Sequence, residues 1–198
     1  MTGSPLVSGD PAPEDGPVTN ETAAIAPDTK DWTWVLDRPC PDCGFDAAAV
    51  DRGSFGAVIR DNAGFWATAL ADPLAGRRPA PDVWSPTEYA CHVRDVHRVF
   101  AGRVQQMLTE DDPRFANWDQ DEAAVAQRYD EQRAADVVPD LAGAAEAVAT
   151  VYDGVPDDAW ERPGRRSNGS VFTVETLGQY HLHDLVHHRW DVRWIMAP

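Results

Sequence analysis

The sequence predicts an all-α protein, a four-helix bundle with one long crossover connection behind a disordered N-terminal leader. Three observations carry that prediction. Apolar residues recur every three to four positions in four long segments. One of these segments opens on a strong helix-start signature, Ser85-Pro86-Thr87-Glu88. The links between segments are short except for the one ahead of the third main helix, as in bundles with a crossover.

The chain of 198 residues is 43% hydrophobic, enough for one sizeable core. Residues 1–30 are rich in Pro, Gly, Ser, Thr, Asp and Glu and offer little to bury, which predicts the disordered leader. Order is expected from Asp31, where Trp32, Trp34, Val35 and Leu36 supply the first apolar group. Residues 31–45 form a segment containing a CxxC pair, and residues 46–196 form the bundle.

The first main helix is expected from Asp46 to Leu70, with Phe55, Val58/Ile59, Phe65/Trp66 and Leu70 at helical spacing, although Gly53 and Gly56 blur its start. The second begins after Ser85, with Pro86 at the first helical position and Glu88 closing a capping box, and runs to about Leu108. Its apolar stripe reads Tyr89, His92, Val96, Val99/Phe100, Arg103/Val104 and Met107, so His92 lies on the core face. The crossover carries a short helix over 119–132. The third main helix covers about Val138 to Tyr152, and the fourth about Thr173 to Ile195. The irregular stretch between these two has room for a short antiparallel hairpin around Arg162–Val171.

The fourth helix contains HLHDLVHHRWDV, residues 181–192, with four of the six histidines of the chain. Stepping by three or four from Val174 gives Leu177, His181, Asp184/Leu185, His188, Asp191/Val192 and Ile195. That stripe begins and ends in aliphatic residues and carries Asp184 and His188 one turn apart, a spacing from which two side chains reach one ion. His183 and His187 share the spacing on a neighbouring face that continues to Trp190 and Trp194, and they are the competing pair. His181 could join either shell of ligands. With His92 on the second helix, Asp184 and His188 make a set of two imidazoles and a carboxylate, suited to Zn²⁺, Ni²⁺, Fe²⁺ or Mn²⁺ with a coordination position left open. Asp95 and Asp191 are placed as acceptors behind the ligand rings. The bland reading, a solvated histidine-rich face, would leave polar groups on two apolar stripes without a shared partner, at a cost of several kcal/mol.

These residues resemble the DinB-like superfamily, which also takes in mycothiol-dependent maleylpyruvate isomerase and bacterial thiol transferases. The resemblance rests on a His in Trp-Ser-Pro-x-Glu-Tyr-x-x-His, here Trp84 to His92, and on an acid-x-x-x-His pair in the last helix, here Asp184 and His188. HHRWDV is similar to the His-His-Arg-Gly-Gln-Ile ending of many DinB-like chains, and DLVHHRWDV to the Glu-x-x-x-His-x-x-Asp-Leu segment of the isomerase branch. It covers roughly residues 46–196 and departs at Asp184, where many members have His, and at Trp190, where many have Gly. The family implies a four-helix bundle, often dimeric, with a divalent metal at one end. Where an activity is known, the metal binds a thiol cofactor such as mycothiol or activates a nucleophile.

The expected function is therefore a divalent-metal-dependent enzyme that activates a low-molecular-weight thiol for transfer or isomerisation. His92, Asp184 and His188 would be the ligands, and Arg162, Arg165 and Arg166 a basic patch for a carboxylate of the thiol. Hydrolysis by an activated water is the first rival; a non-enzymatic metal- or redox-responsive stress protein is the second. PCPDCGF has a single CxxC, where a zinc reading needs a second pair or distant residues to complete it, and Cys91 reads as core packing. A net charge of −16 argues against nucleic acid as a partner and favours a small-molecule substrate and cations. No run approaches the ~18 apolar residues of a membrane span, and the first residues lack a secretory signal, so a cytoplasmic location is expected.

Overall fold

A computed structural model describes Ile25, Pro27 and residues 30–195 of the chain. The expected leader lies almost wholly outside the described residues. Five α-helices and one hairpin are found among those described: α1 Phe55–Ala69, α2 Pro86–Thr109, α3 Gln120–Ala126, α4 Ala134–Asp153, β1 Pro163–Arg165, β2 Val171–Thr173 and α5 Val174–Ile195.

The four long helices form the bundle. α4 packs against both α1 and α2, and α5 packs against the same two from the other side. The ring order is therefore α1, α4, α2, α5, with the consecutive helices α1 and α2 on a diagonal. The core is filled by Phe55, Ile59 and Trp66 of α1, Val104 and Met107 of α2, Leu141 and Val148 of α4, and Leu177, Leu182 and Leu185 of α5, all essentially inaccessible. At an apolar transfer free energy of about 25 cal/mol per Å², burial of each large side chain contributes about 2 kcal/mol before entropy is counted.

α2 starts as expected. The Ser85 hydroxyl accepts the Glu88 amide at 3.2 Å, and Glu88 Oε2 accepts the Ser85 amide at 2.8 Å. Burial favours protonation of Glu88, but the Arg78 guanidinium beside it and the Ser85 bonds hold its carboxyl below the usual range. The buried surface of α2 is wider than a single stripe: Cys91, Val93, Arg94, Asp95 and His97 are buried along with His92, because α4 and α5 flank this helix on two sides.

Two helix starts differ from the sequence expectation. Instead of one helix from Asp46, two 3-10 turns at Ala47–Ala49 and Arg52–Ser54 precede α1. The Asp46 and Asp51 carboxylates accept the amides two residues on and hold Val50 extended, the local competition that keeps Asp out of helix interiors. α4 begins at Ala134, ahead of Pro139, because Val137 is drawn into the core and a proline so near the N-terminus removes only one helical bond. The hairpin forms with Gly164 opposite Phe172, and residue 174 leads straight into α5. α5 crosses α1 closely at Gly178, where a Cβ would collide with the Phe55 ring. Buried Asn62 of α1 takes the Trp66 indole N–H on its Oδ1 and donates to the Leu185 carbonyl, which fixes the register of α5. Among the described residues no helix is long and apolar enough to cross a membrane.

Candidate metal centre

Because α2 and α5 are neighbours in the ring, the sequence-predicted residues meet. The ligand atoms of His92, Asp184 and His188 all lie within 4.8 Å of one another. His92 Nε2 is 3.6 Å and His188 Nε2 3.8 Å from the same oxygen, Asp184 Oδ1. Those separations are too long for hydrogen bonds and close to the ~3.4 Å between two ligands that each sit ~2.1 Å from one tetrahedral ion. The His92 and His188 rings stand perpendicular, with centroids 4.7 Å apart.

The supports of these rings differ. His92 is fully buried between Trp84 and Trp118, at centroid distances of 5.5 and 5.8 Å, and neither of its ring nitrogens has a hydrogen-bond partner. Asp184 Oδ1 is likewise buried without one. His188 packs on Tyr89, and its Nδ1 lies 3.0 Å from Asp191 Oδ2. That contact makes Nδ1–H the donor and turns Nε2 toward Asp184, the orientation device that sequence spacing assigned to Asp191. Burial works against ionisation of Asp184, but the charges of His188 and then His92 outweigh it and hold the carboxyl below its ordinary value.

Asp184 and His188 of the cluster line the floor of a cavity of about 290 Å³, together with Trp32, Trp84, Tyr89 and Tyr180, with Asp82 and Asp121, and with His183 and His187 of the competing pair. No lysine or arginine is among its described lining residues. Burial raises the Tyr89 hydroxyl well above its ordinary pKa, so it faces the cavity as a neutral phenol.

Other expected residues lie elsewhere. Asp95 does not back His92; it takes Arg94, Arg98 and the Tyr129 hydroxyl, tying α2 to the connection ahead of α4. His181 joins no ligand cluster, since its Nε2 meets His97 Nδ1 at 3.1 Å and its Nδ1 meets the Tyr152 hydroxyl at 3.3 Å. Arg162 donates to the Met107 and Glu110 carbonyls, and Arg165 pairs with Asp112, so the structure does not bring these two to the cavity. Arg166 lies 5.9 Å from the ring of Tyr180, which lines the cavity, but is not itself among the described lining residues. Cys91 is core packing, with its thiol pushed up to about 12 by burial. His183 and His187 turn away from His92 and toward Cys40 and Cys43. The aromatic walls and the partners of His97 and His181 were beyond sequence reasoning, since helical spacing says nothing of contacts between elements.

Fold and site together define a four-helix bundle with a His-Asp-His cluster able to hold a metal at the floor of a pocket. A family model describing the DinB superfamily matches residues 58–192, and the chain belongs to that superfamily. Among solved structures, the chain resembles YfiT from Bacillus subtilis, described as "a probable metal-dependent hydrolase with an unusual four-helix bundle topology". The TM-score is 0.64 at 16% identity, over 73% of this chain and 87% of that one. A comparison with curated proteins finds no match.

Proposed function

We propose that this protein is a metal-dependent hydrolase whose ion is held by His92, Asp184 and His188. The observation that carries the reading is the convergence of three ligand atoms, two of them buried without hydrogen-bond partners, beneath an open cavity. A fully ligated structural ion would have no such open side. When bound, the ion supplies Lewis acidity, polarising an electrophile and bringing the pKa of water it holds toward neutrality. The residues of the chain do the rest. Asp191 fixes the tautomer of His188, Trp84 and Trp118 fix the His92 ring, and the Tyr89 phenol is a donor for a developing oxyanion. Aromatic walls with acidic edges, and no lysine or arginine among the described lining residues, favour a small neutral or cationic substrate with an apolar part. The description of YfiT as a probable metal-dependent hydrolase supports the same reaction class.

Transfer or isomerisation through a metal-held thiol such as mycothiol is the second reading. It keeps one observation, the Arg166 guanidinium 5.9 Å from the ring of the cavity-lining Tyr180. Purified full-length protein assayed for divalent metal, then against a panel of small esters, amides and lactones with and without added thiol, separates the two. Turnover that needs metal but not thiol, and is lost in His92→Ala, is the expected result. Turnover that requires thiol and leaves sulfur in the product would replace hydrolysis by the second reading.

A further inference from the structure

A second group of potential ligands lies one face around α5. Cys40, Cys43, His183 and His187 present ligand atoms that all fall within 4.8 Å of one another. From this geometry we infer that the protein has a second, structural metal site, a Cys2His2 centre for a zinc-class ion that clamps the N-terminal segment onto the last helix.

Local structure prepares both halves. In Cys40-Pro-Asp-Cys-Gly44, the Gly44 amide donates to the Cys40 carbonyl at 2.9 Å and the Cys40 amide donates to the Phe45 carbonyl at 2.8 Å, a tight knuckle. Gly44 closes it at φ +75°, a conformation that other residues adopt only with strain. His183 and His187 are one helical turn apart, rotated by about 100° from Asp184 and His188, so the two pairs serve different clusters. Cys40 Sγ lies 3.7 Å from His187 Nδ1, near the ~3.6 Å expected between S and N ligands of one tetrahedral ion. His183 has a buried Nε2 with no hydrogen-bond partner.

The donor chemistry separates this group from the cavity-floor cluster. Two thiolates and two imidazoles make a soft, complete tetrahedral set whose two negative charges a divalent ion cancels. The surroundings are largely closed, although His183 and His187 also line the cavity beside the first cluster. Cys40 is 2% and His183 4% exposed, Trp32 packs on His183 and His187 at 5.4 and 4.8 Å, and Phe45 meets the His183 ring edge at 5.7 Å. Burial pushes the Cys43 thiol up to about 12, with the backbone amides of Phe45 and Cys43 opposing, so an ion is what would hold it as a thiolate. Metal binding would release the thiol protons. The site would also set the position of Trp32, which walls the neighbouring cavity.

Full-length protein stripped of metal and titrated with Co²⁺ tests this inference independently of the hydrolase reading. We expect an intense near-ultraviolet thiolate-to-cobalt charge-transfer band with the visible bands of a tetrahedral site, saturating at one equivalent. The band should persist in His92→Ala and vanish in Cys40→Ser and His187→Ala, while His92→Ala loses only the other equivalent. Co²⁺ bound by wild-type protein without the charge-transfer band would overturn the proposal, whatever the folding of the variants. So would survival of the band in Cys40→Ser, or a Cys40–Cys43 disulfide whose reduction confers no metal binding.

Discussion

α2 and α5 bring histidines together at two levels of the bundle. At the inner level, His97 Nδ1 and His181 Nε2 sit 3.1 Å apart, Tyr152 continues the chain of contacts, and Phe100 stacks on His181 at 4.5 Å. Little more than one turn away along α2, His92 faces Asp184 at 3.6 Å and His188 lies 3.8 Å from the same oxygen. The same helices and the same residue type yield a closed contact in one place and an expanded one in the other. A buried polar group must find its partner inside the fold or have it supplied from outside. The inner rings meet each other directly, with only His97 Nε2 left buried and unpartnered, whereas the outer trio is spaced for an ion and opens on a cavity. Proximity of histidines alone therefore does not mark a metal site; the gap between them does.

Substitution should split the two levels most strongly in metal affinity. His92→Ala or His188→Ala is expected to weaken binding at the cavity floor by well over 100-fold, since even supporting residues are worth about 10–100-fold. His92→Ala should change the stability of the metal-free fold little, because the packing lost between Trp84 and Trp118 is offset by removing two buried ring nitrogens without hydrogen-bond partners. His188→Ala gives up the 3.0 Å bond to Asp191 and should cost about 1 kcal/mol. His181→Ala should do the reverse. It opens a cavity beside Phe100 and strips partners from His97 and Tyr152, for a loss of about 3 kcal/mol with affinity at the cavity floor retained. Chelator competition for the metal and urea unfolding of the stripped protein measure the two effects. A His181→Ala protein that lost its metal while keeping its stability would erase the distinction.

The same contrast, between what one element decides and what neighbours decide, explains what could be read from the sequence. The bundle, the start of α2 and the Asp184/His188 face were legible because capping chemistry and a 3.6-residue period act within one element. His92 was legible because it sits on an apolar stripe. The Asp46–Ser54 turns were misread as helix because two aspartates capture amides locally, an effect that periodicity does not register. His97, Trp84 and Trp118 were invisible for a different reason. Their roles depend on which helices become neighbours, and the ring order is a tertiary fact. The cysteine pair and the His183/His187 pair were each visible, but nothing in their spacing said that they face one another.

Acid should sharpen the contrast next. Burial depresses His97 to about 4 and lowers His181 as well, whereas in the unfolded chain both titrate near 6.5. Between those values the unfolded chain binds a proton that the fold refuses, so stability is full above about pH 6.5 and falls as pH drops toward 4. The loss from His97 alone is about 3 kcal/mol. His97→Gln should be less stable than wild type at pH 7 and approach or overtake it near pH 4. Parallel stability–pH curves for the two proteins would show that His97 is not the group being titrated.

The smallest expected effect belongs to Asp191, the residue between the two ligand clusters of α5. Its Oδ2 is 3.0 Å from His188 Nδ1, a hydrogen bond, while its Oδ1 is 3.9 Å from His187 Nε2, which is not. Asp191→Asn keeps the shape but weakens the acceptor and can present an N–H to His188, favouring the wrong tautomer. Affinity at the cavity floor should therefore fall about 10-fold, near the low end for a residue that orients a ligand. The cysteine-containing cluster should change several-fold less, because its ring already lacks that bond. Two cobalt titrations resolve the sites, the thiolate charge-transfer band following one and total bound metal following both. Equal losses at both would mean that Asp191 acts through the charge of the whole helix face rather than through one hydrogen bond.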